Sequence, residues 1–321
     1  MTLSGKCQIV LNIKTPDEIK EESWTAVTLI KELNTPESSI MWCAERRLLT
    51  NERHCTSCSK SLCLTANKSV IDKYQWRCKK CSVVESIRKK SVFQNCHLTI
   101  LQIIIIMYFW SREYPSRIAA VEVEVSKKVA IDWYNFFRDI CKNYFDSHPV
   151  QLGGLDDNGF PKVVEVDETF IFHKNHNCEQ TKNDRKCVFG GIERDSRKCF
   201  LVEVPNRKAQ TLFPIIEQYV LPGSRIISDD CSAYAKIGQI NDGIYQHDSV
   251  HERDFVDGID PEIHTQHIKN MWSRAKQKLK HQYYKNTKLF QPYLLEFQWR
   301  CLFKTHAFEN FLMCVSNKYP C

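Results

Sequence analysis

The chain has 321 residues, of which 43% are hydrophobic and 26% are charged, and its formal net charge is +7. This composition excludes a disordered or fibrous protein, and the length allows two or three domains, each with its own core. The modest basic excess is compatible with a polyanionic partner and indicates nothing more specific.

The sequence does not predict secretion or a membrane span. The apolar stretch Cys7–Leu11 is too short for a signal peptide and is followed by no cleavage pattern. The run from Leu98 to Trp110 is shorter than the roughly 20 residues that cross a bilayer, so it predicts a buried helix. Without a signal, the 16 cysteines favour metal ligands and free thiols over disulfides. We expect an intracellular protein, nuclear if it is eukaryotic, with no membrane partner.

Residues 1–50 predict a small helical lead-in. Thr15-Pro16 and Thr35-Pro36 are both typical of helix starts, because a threonine can cap the helix and proline is tolerated in the first turn. The rest of this segment carries no strong signal.

Residues 51–95 predict a zinc ribbon. Two C-x2-C motifs, separated by nineteen residues, can bring four thiolates to one tetrahedral Zn²⁺: Cys55, Cys58, Cys78 and Cys81. The alternative is four unrelated cysteines. Cys63 and Cys96 are interpreted as buried thiols. Cations around the second motif suit phosphate contacts or a solvated face: Arg77, Lys79, Lys80, Arg88, Lys89 and Lys90.

Residues 96–150 predict helices, the last two of which resemble a helix-turn-helix. The helices are Leu98–Trp110, Ser116–Val123 and one that begins after Ser126, a plausible N-cap. Lys127 and Lys128 would begin the recognition helix and contact DNA. The alternative is a helix pair that serves only for packing.

Residues 161–290 predict an α/β domain, after a linker near 148–160 that is rich in glycine and aspartate. The predicted order is strand-strand-strand-helix-strand-helix, which is that of a ribonuclease-H-like domain with its first and fourth strands side by side. The predicted strands are Lys162–His173, Lys186–Ile192, Lys198–Val204 and Arg225–Ser228, and the predicted helices are Gln210–Val220, Cys231–Ile237 and His264 to about His281.

Two acids stand in or at the end of these apolar strands. Asp167 lies in the first strand and Asp229 ends the fourth. A carboxylate in a buried strand is costly unless it is paired or binds a metal. Two on neighbouring strands therefore predict a divalent-metal site for phosphoryl chemistry.

A series of motifs extends from about residue 40 to Pro320. They are Tyr74-Gln75-Trp76-Arg77-Cys78, Ser86-Ile87-Arg88, Ile131-Asp132-Trp133-Tyr134, Val164-Glu165-Val166-Asp167-Glu168, Val188-Phe189-Gly190-Gly191-Ile192-Glu193-Arg194, Leu221-Pro222-Gly223, Ser228-Asp229, His264-Thr265-Gln266, Trp272 and Tyr293-Leu294-Leu295-Glu296-Phe297-Gln298-Trp299-Arg300. In this order they resemble the Merlin superfamily of DDE transposases and its bacterial insertion-sequence relatives.

The resemblance implies a DNA transposase. Asp167 and Asp229 would hold Mg²⁺ or Mn²⁺, which activates water and then a 3′-hydroxyl for attack on DNA phosphodiesters. The zinc ribbon and the helix-turn-helix would bind terminal inverted repeats, and such transposases usually act as homo-oligomers. Glu168 and Asp230 would be solvated or lie outside the metal's ligands. Residues 291–321 would form a C-terminal helical tail.

The sequence departs from the family pattern at the third metal ligand. The pattern His-Thr-Gln-Asn-Ile-Glu becomes His264-Thr265-Gln266-His267-Ile268-Lys269, so Lys269 replaces the expected glutamate. The charge of the three-residue site changes from −3 to −1. Two unit charges about 4 Å apart interact by about 4 kcal/mol at an effective dielectric of about 20, and a unit charge and a dication interact by about twice that. The substitution predicts impaired metal binding and catalysis.

Two other features bear on DNA binding. Glu124 occupies a turn position where relatives often carry glycine, which weakens the helix-turn-helix assignment slightly. After Lys269, a stretch with no acid is predicted to track phosphates; its cations are Arg274, Lys276, Lys278, Lys280, Lys285 and Lys288.

Three hypotheses follow from the sequence. The first is a transposase-like protein of the cleavage and strand-transfer class with impaired catalysis. The second is a domesticated or decayed transposase that acts only as a zinc-ribbon DNA-binding protein. The third is a zinc-ribbon regulator whose C-terminal domain serves for assembly.

Overall fold

The chain forms two units in the computed structural model, residues 1–143 with 303–321 and residues 144–302. The structure describes residues 2–172, 185–250, 261–282 and 290–320, without the side chains of Phe172, Arg185 and residues 280–282. The predictions for His173, Lys285 and Lys288 therefore lie outside the described residues, as does the side chain of Lys280.

The first unit begins with three short helices, α1 (Pro16–Lys20), α2 (Ala26–Glu32) and α3 (Pro36–Glu45). The two predicted helix starts are confirmed. Thr15 accepts a hydrogen bond from the backbone N–H of Glu18, and Thr35 accepts one from Ser38. The sequence did not reveal α2, whose N-cap is Thr25.

A three-stranded antiparallel sheet follows, formed by β1 (Cys63–Ala66), β2 (Tyr74–Arg77) and β3 (Val84–Ser86). Trp76 in the central strand is fully buried. The interpretation of Cys63 as a free thiol is wrong, because Cys63 forms a disulfide with Cys7. The segment before Cys7 pairs with β1 through the N–H of Gly5 and the carbonyl of Leu64 (2.7 Å), which brings the two thiols together although 56 residues separate them.

The helices of the first unit continue with α4 (Ile100–Ser111), α5 (Ser116–Glu122) and α6 (Lys127–Ser147). All three match predicted helices. Ser126 caps α6, since its hydroxyl accepts a hydrogen bond from the N–H of Val129 at 3.3 Å. Glu124, in the turn between α5 and α6, has a φ of +55°, the left-handed conformation that glycine adopts most easily.

The second unit contains a five-stranded mixed sheet in the order β10-β9-β5-β6-β7. Strands β5, β6 and β7 are antiparallel neighbours, and β9 and β10 run parallel to β5. A separate two-stranded sheet joins β4 and β8. The elements of this unit are β4 (Leu152–Gly153), β5 (Val163–Phe172), β6 (Arg185–Glu193), β7 (Cys199–Val204), α7 (Ala209–Tyr219), β8 (Val220–Leu221), β9 (Arg225–Asp229), β10 (Gln246–Val250), α8 (Gln266–Gln282) and α9 (Phe290–Leu302). The last helix of the chain, α10 (Ala307–Lys318), belongs to the first unit.

The predicted helix Cys231–Ile237 is wrong. Turns occupy this segment and a 3₁₀ helix follows at Ile237–Asp242. Tyr234, Ile237 and Ile240 are buried at intervals of three residues, a spacing that an α-helix also shows, while the backbone at Ile240 and Asn241 is not helical. Strand β10 after it has few apolar residues, which is why its sequence gave no strand signal.

Apolar clusters cover both faces of the large sheet. One face packs on α7 and the 3₁₀ segment through residues such as Val164, Val166 and Phe200. The other packs on α8 and α9. Helix α8 contributes apolar residues at helical spacing: Ile268, Met271, Trp272, Ala275 and Leu279. Among the described helices, none has the length and apolar character needed to cross a bilayer.

Candidate active site and zinc centre

The strand register brings Asp167 and Asp229 toward each other. β5 runs parallel to β9, with Glu165 opposite Ile227. Two residues further along each strand are Asp167 and Asp229, which therefore point to the same face of the sheet. Glu165 and Asp167 share the face that packs on α8, because side chains alternate along a strand.

The electrostatic environment of Asp167 reflects this proximity. Burial, and after it the charge of Asp229, raise the pKa of Asp167 from 3.8 to about 6. A hydrogen bond of 2.8 Å from the N–H of Glu168 to Oδ1 of Asp167 acts in the opposite direction. Each carboxylate makes ionisation of the other less favourable, and a cation between them would reduce this repulsion.

Lys269 is a cation next to this pair. It lies in the first turn of α8, is partly exposed, and its positive charge lowers the pKa of Asp167. The more distant Arg207 guanidinium adds a smaller effect in the same direction. The position of the expected glutamate thus lies close enough to affect the ionisation of Asp167, and a lysine occupies it.

Glu168 faces the other side of the sheet and is buried. Tyr234 donates a hydrogen bond to its Oε2, and the guanidinium of Arg207 contacts its Oε1. Burial, and then the charges of Asp167 and Asp229, raise its pKa to about 8, while a backbone hydrogen bond acts in the opposite direction. Of the two alternatives expected for Glu168, the solvated one is wrong, because the side chain is buried and bound by Tyr234 and Arg207. These partners leave it no role as a direct replacement for the third acid.

A hydrogen-bond network that the sequence did not reveal surrounds Glu165, which is completely buried. Its Oε2 accepts the backbone N–H of Ile268 at 2.9 Å, and its Oε1 lies 2.8 Å from Nδ1 of His267. Arg194 donates to the same Oε1 at 2.8 Å. In the sequence, the two-residue spacing of Glu165 and Asp167 was the only sign that they share one face of a strand. Nothing in the sequence linked Glu165 to Arg194, which lies 29 residues away.

The side chains near Asp167 fit a catalytic dication poorly. Two carboxylates on adjacent strands match the oxygen ligands that Mg²⁺ and Mn²⁺ take in proteins. Lys269, however, carries a charge that repels a dication, and a unit charge about 4 Å from a dication is repelled by roughly 8 kcal/mol at an effective dielectric of about 20. The ammonium lowers the pKa of Asp167, but burial and the charge of Asp229 outweigh this effect.

A second group of possible ligands fits a metal no better. Single ligand atoms of Glu165, His264 and His267 lie within 4.8 Å of one another. Arg194 already binds the Glu165 oxygen, and its Nη2 lies 3.2 Å from Nδ1 of His264. Burial, and after it Arg194, lower the pKa of His264. A fixed guanidinium at this distance opposes a dication, so we interpret the group as a hydrogen-bond network.

The four predicted zinc ligands do converge. The Sγ atoms of Cys55, Cys58, Cys78 and Cys81 all lie within 4.8 Å of one another. The Sγ atoms of Cys58 and Cys78 are 3.6 Å apart, close to the roughly 3.8 Å that two thiolates on one tetrahedral Zn²⁺ require. The backbone N–H of Cys81 donates to Sγ of Cys78 at 3.3 Å and contributes most to lowering that thiol's pKa to about 7. This donor set fits a structural Zn²⁺.

The two C-x2-C motifs adopt the same turn. The N–H of Ser59 donates to the carbonyl of Cys55 at 2.9 Å, and the N–H of Ser82 donates to Cys78 at 3.1 Å. Ser59 and Ser82 each have a φ of +56°. Two equivalent turns, which expose their thiols toward one point, are the local basis of the cluster.

The predicted DNA-binding cations differ in exposure. Lys127 and Lys128 are exposed at the start of α6, and Arg274 and Lys276 are exposed on α8. Lys278 is mostly buried, with Nζ 3.9 Å from Oε1 of Glu296, so its geometry does not favour phosphate contact. The side chain of Lys280 lies outside the described part of the chain.

Two of the ribbon's basic residues are also engaged inside the protein. Arg88 is buried and binds Asp72 through Nε and Oδ2 at 2.6 Å. Lys89 forms an ion pair with Glu85 at 2.7 Å. The basic surface of the ribbon is therefore smaller than the sequence suggests.

Comparison with known proteins supports a transposase-like domain. Residues 151–301, slightly less than half of the chain, match the family model of the ISXO2-like transposase domain. Among curated proteins, none matches the chain by sequence.

Solved structures with some likeness include catalytic cores of retroviral integrases. The HTLV-2 integrase catalytic core domain in complex with magnesium has a TM-score of 0.27 and 11% identity, over 43% of this chain and 83% of that one. The BIV integrase catalytic core domain has a TM-score of 0.29 and 12% identity, over 42% and 80%. A simian T-cell lymphotropic virus intasome with PP2A regulatory subunit B56 gamma has a TM-score of 0.30 and 10% identity, over 61% and 67%. Scores at this level do not establish a shared fold.

Proposed function

We propose that this chain is a DNA transposase-like protein of the Merlin superfamily, whose metal-dependent cleavage and strand-transfer site is catalytically impaired. It binds element-end DNA, acts as a homo-oligomer, and works in the nucleus if its host is eukaryotic. Residues 51–95 form its zinc ribbon, residues 96–150 its helix-turn-helix-like segment, and residues 161–290 its ribonuclease-H-like domain.

One observation carries the proposal: Asp167 and Asp229 lie on adjacent parallel strands, and helix α8 presents residue 269 to the same site. Two carboxylates on adjacent strands are oxygen ligands of the kind that phosphoryl transfer by two metal ions uses. The sheet order, with three antiparallel strands followed by two parallel ones beside the first, supports a ribonuclease-H-like fold.

Lys269 is the reason we propose impairment. It supplies positive charge where the family pattern has a carboxylate, and this charge lowers the pKa of Asp167, which supports the proposal. No step through a metal is assigned to the native chain. In the native chain, the charge of Lys269 offsets only part of the cost of ionising Asp167.

The DNA-binding part of the proposal depends on the first unit. The four-thiolate cluster is compatible with zinc, and α5, the turn at Glu124 and α6 give two helices separated by a short turn. Lys127 and Lys128 are exposed at the N-terminus of the second helix, where a recognition helix contacts DNA.

The alternative is a domesticated or decayed transposase that acts only as a zinc-ribbon DNA-binding protein. Lys269 favours it, because a cation in place of the third acid opposes the binding of a catalytic dication. The two proposals differ in whether restoring an acid at residue 269 restores catalysis.

The test uses a supercoiled plasmid that carries the genomic segments flanking the gene, incubated with Mn²⁺ and the zinc-loaded full chain. We expect no nicking by the native protein, nicking by Lys269→Glu, and none by the double variant Lys269→Glu/Asp167→Ala. Robust cleavage by the native protein that is lost in Asp167→Ala would overturn the proposed impairment. An inactive Lys269→Glu that still binds the plasmid specifically would favour the alternative.

A further inference from the structure

A single buried carboxylate attaches the first turn of α8 to the large sheet. Glu165 is completely buried in β5. One of its oxygens accepts the backbone N–H of Ile268 at 2.9 Å, and the other lies 2.8 Å from Nδ1 of His267. A carboxylate at the N-terminus of a helix also interacts favourably with the helix dipole. These contacts determine where the helix begins relative to β5.

Arg194 attaches the segment before α8 to the same carboxylate. Its Nε donates to Oε1 of Glu165 at 2.8 Å, and its Nη2 donates to the carbonyl of His264 at 2.7 Å. Its Nη1 donates to the carbonyl of Glu262, also at 2.7 Å. The chain that leads into the helix is therefore held at two successive points by a side chain from the end of β6.

The residues that attach α8 to β5 are close in sequence to the residues of the candidate active site. Glu165 and Asp167 are two residues apart on the same face of β5, while Ile268 and Lys269 are consecutive in α8. A hydrogen bond between Glu165 and Ile268 therefore determines which α8 residue faces Asp167. Displacement of the helix by even part of a turn would move residue 269 away from the aspartates.

We propose that Glu165 is a positioning residue that, together with His267 and Arg194, holds residue 269 of α8 opposite Asp167 and Asp229. It touches neither of the two aspartates in this role and acts only through the helix. The inference rests on the proposed function, because the position of residue 269 matters chemically only if that residue is the third member of a metal site.

His267 fits this role although relatives carry asparagine at the position. An imidazole N–H and a side-chain amide N–H can both donate to a carboxylate, so the replacement preserves the contact with Glu165. His267→Asn should therefore retain the attachment. His267→Ala removes the donor and leaves an oxygen of the buried carboxylate with one partner fewer, so it should loosen the first turn.

The first test measures amide hydrogen exchange in residues 266–272 of the zinc-loaded full chain. In Glu165→Gln, we expect exchange at least tenfold faster than in the native protein, because an amide cannot accept from all three of its present partners. His267→Ala should show a smaller change in the same direction, and His267→Asn should stay within threefold of native. Glu193→Gln is the matched control: Glu193 is a buried carboxylate that accepts from the N–H of Gly153 at 2.6 Å.

The second test measures Mn²⁺ affinity by electron paramagnetic resonance in the Lys269→Glu background. Adding Glu165→Gln should raise the Mn²⁺ dissociation constant at least tenfold. Adding His267→Asn or Glu193→Gln should leave it within threefold. Rescue by asparagine at position 267 distinguishes positioning of residue 269 from a general effect on stability.

The two tests separate this inference from the proposed function. Unchanged exchange in Glu165→Gln overturns the attachment, and unchanged Mn²⁺ affinity in the double variant overturns its role in positioning. If Lys269→Glu binds no Mn²⁺ at all, the proposed function fails, while the exchange measurement still decides the attachment. If Glu165→Gln does not fold, His267→Ala compared with His267→Asn decides both points.

Discussion

Lys269 lies within electrostatic range of Asp167. Burial, and after it the charge of Asp229, raise the pKa of Asp167 to about 6, and the ammonium of Lys269 lowers it. The three side chains come from β5, β9 and α8, so their proximity depends on the packing of the helix against the sheet. A lysine at this position opposes the binding of a dication beside the aspartates.

Replacing Asp167 by asparagine should stabilise the protein, and more so at higher pH. Folding raises the pKa of Asp167 from 3.8 to about 6, so the native state holds this proton more tightly than the unfolded chain. Protonation of Asp167 therefore stabilises the native state fully below about pH 4, and this contribution is lost as the pH rises through about 6. Asp167→Asn should therefore be about 1–3 kcal/mol more stable than the native chain at pH 8, with a smaller difference at pH 5.

Urea unfolding of the zinc-loaded chain, without added Mg²⁺ or Mn²⁺, measures this difference. Asp230→Asn is the control, because Asp230 is an exposed acid next to Asp229. Its effect should stay within about 0.5 kcal/mol at both pH values. A destabilising Asp167→Asn would contradict the electrostatic account.

Replacing Cys78 by serine should remove the bound zinc. Four converging thiolates fit one Zn²⁺, and loss of one ligand from a tetrahedral site lowers affinity sharply. We expect one zinc per chain in the native protein and none in Cys78→Ser after dialysis, by colorimetric assay of the denatured protein. Cys96→Ser, outside the cluster, should retain its zinc; equal loss from both variants would argue against the four-cysteine site.

Replacing Gly190 by alanine should disturb the packing of α8. A Cβ at this position would lie 2.8 Å from the ring of Trp272 and 2.9 Å from the carbonyl of Phe200. Trp272 belongs to the helix that carries Lys269, so relief of the clash requires the helix or the sheet to move. Overpacking of this kind costs about 1–3 kcal/mol.

Urea unfolding also tests this prediction. Gly238→Ala is the control, because a Cβ there would lie 3.6 Å from the nearest atom, an ordinary contact. Adding Trp272→Phe to Gly190→Ala should recover part of the lost free energy of unfolding. The effects of the two substitutions should then be non-additive in a double-mutant cycle. An unaffected Gly190→Ala would show that the helix adjusts freely, which would contradict tight packing at this position.

Removing Lys127 and Lys128 together should reduce the salt dependence of DNA binding. Each phosphate contact contributes about 0.9 to the slope of the logarithm of affinity against the logarithm of salt concentration. Lys127→Ala/Lys128→Ala should lower that slope by about 2, as measured by fluorescence anisotropy with duplex DNA. Lys20→Ala/Lys31→Ala removes the same charge from exposed positions on α1 and α2 and should leave the slope unchanged.

The sequence by itself determined the features whose partners are close along the chain. Each C-x2-C turn, the threonine caps of α1 and α3 and the Ser126 cap of α6 depend on neighbours within four residues. Most predicted strands and helices also agree with the structure, since period-two and helical patterns reflect which side chains face the core. The same reasoning failed for the segment after Asp229, where turns and a 3₁₀ helix take the place of the predicted helix.

Only the tertiary structure decided how distant residues combine. Glu165 meets His267 across 102 residues and Arg194 across 29. Lys278 binds inward beside Glu296, and Cys63 pairs with Cys7. Such contacts leave no period or spacing in the sequence, because they depend on which strands are adjacent and where a helix lies on the sheet. The sequence named Asp167, Asp229 and Lys269, and their electrostatic coupling was decided by the packing of α8 on β5.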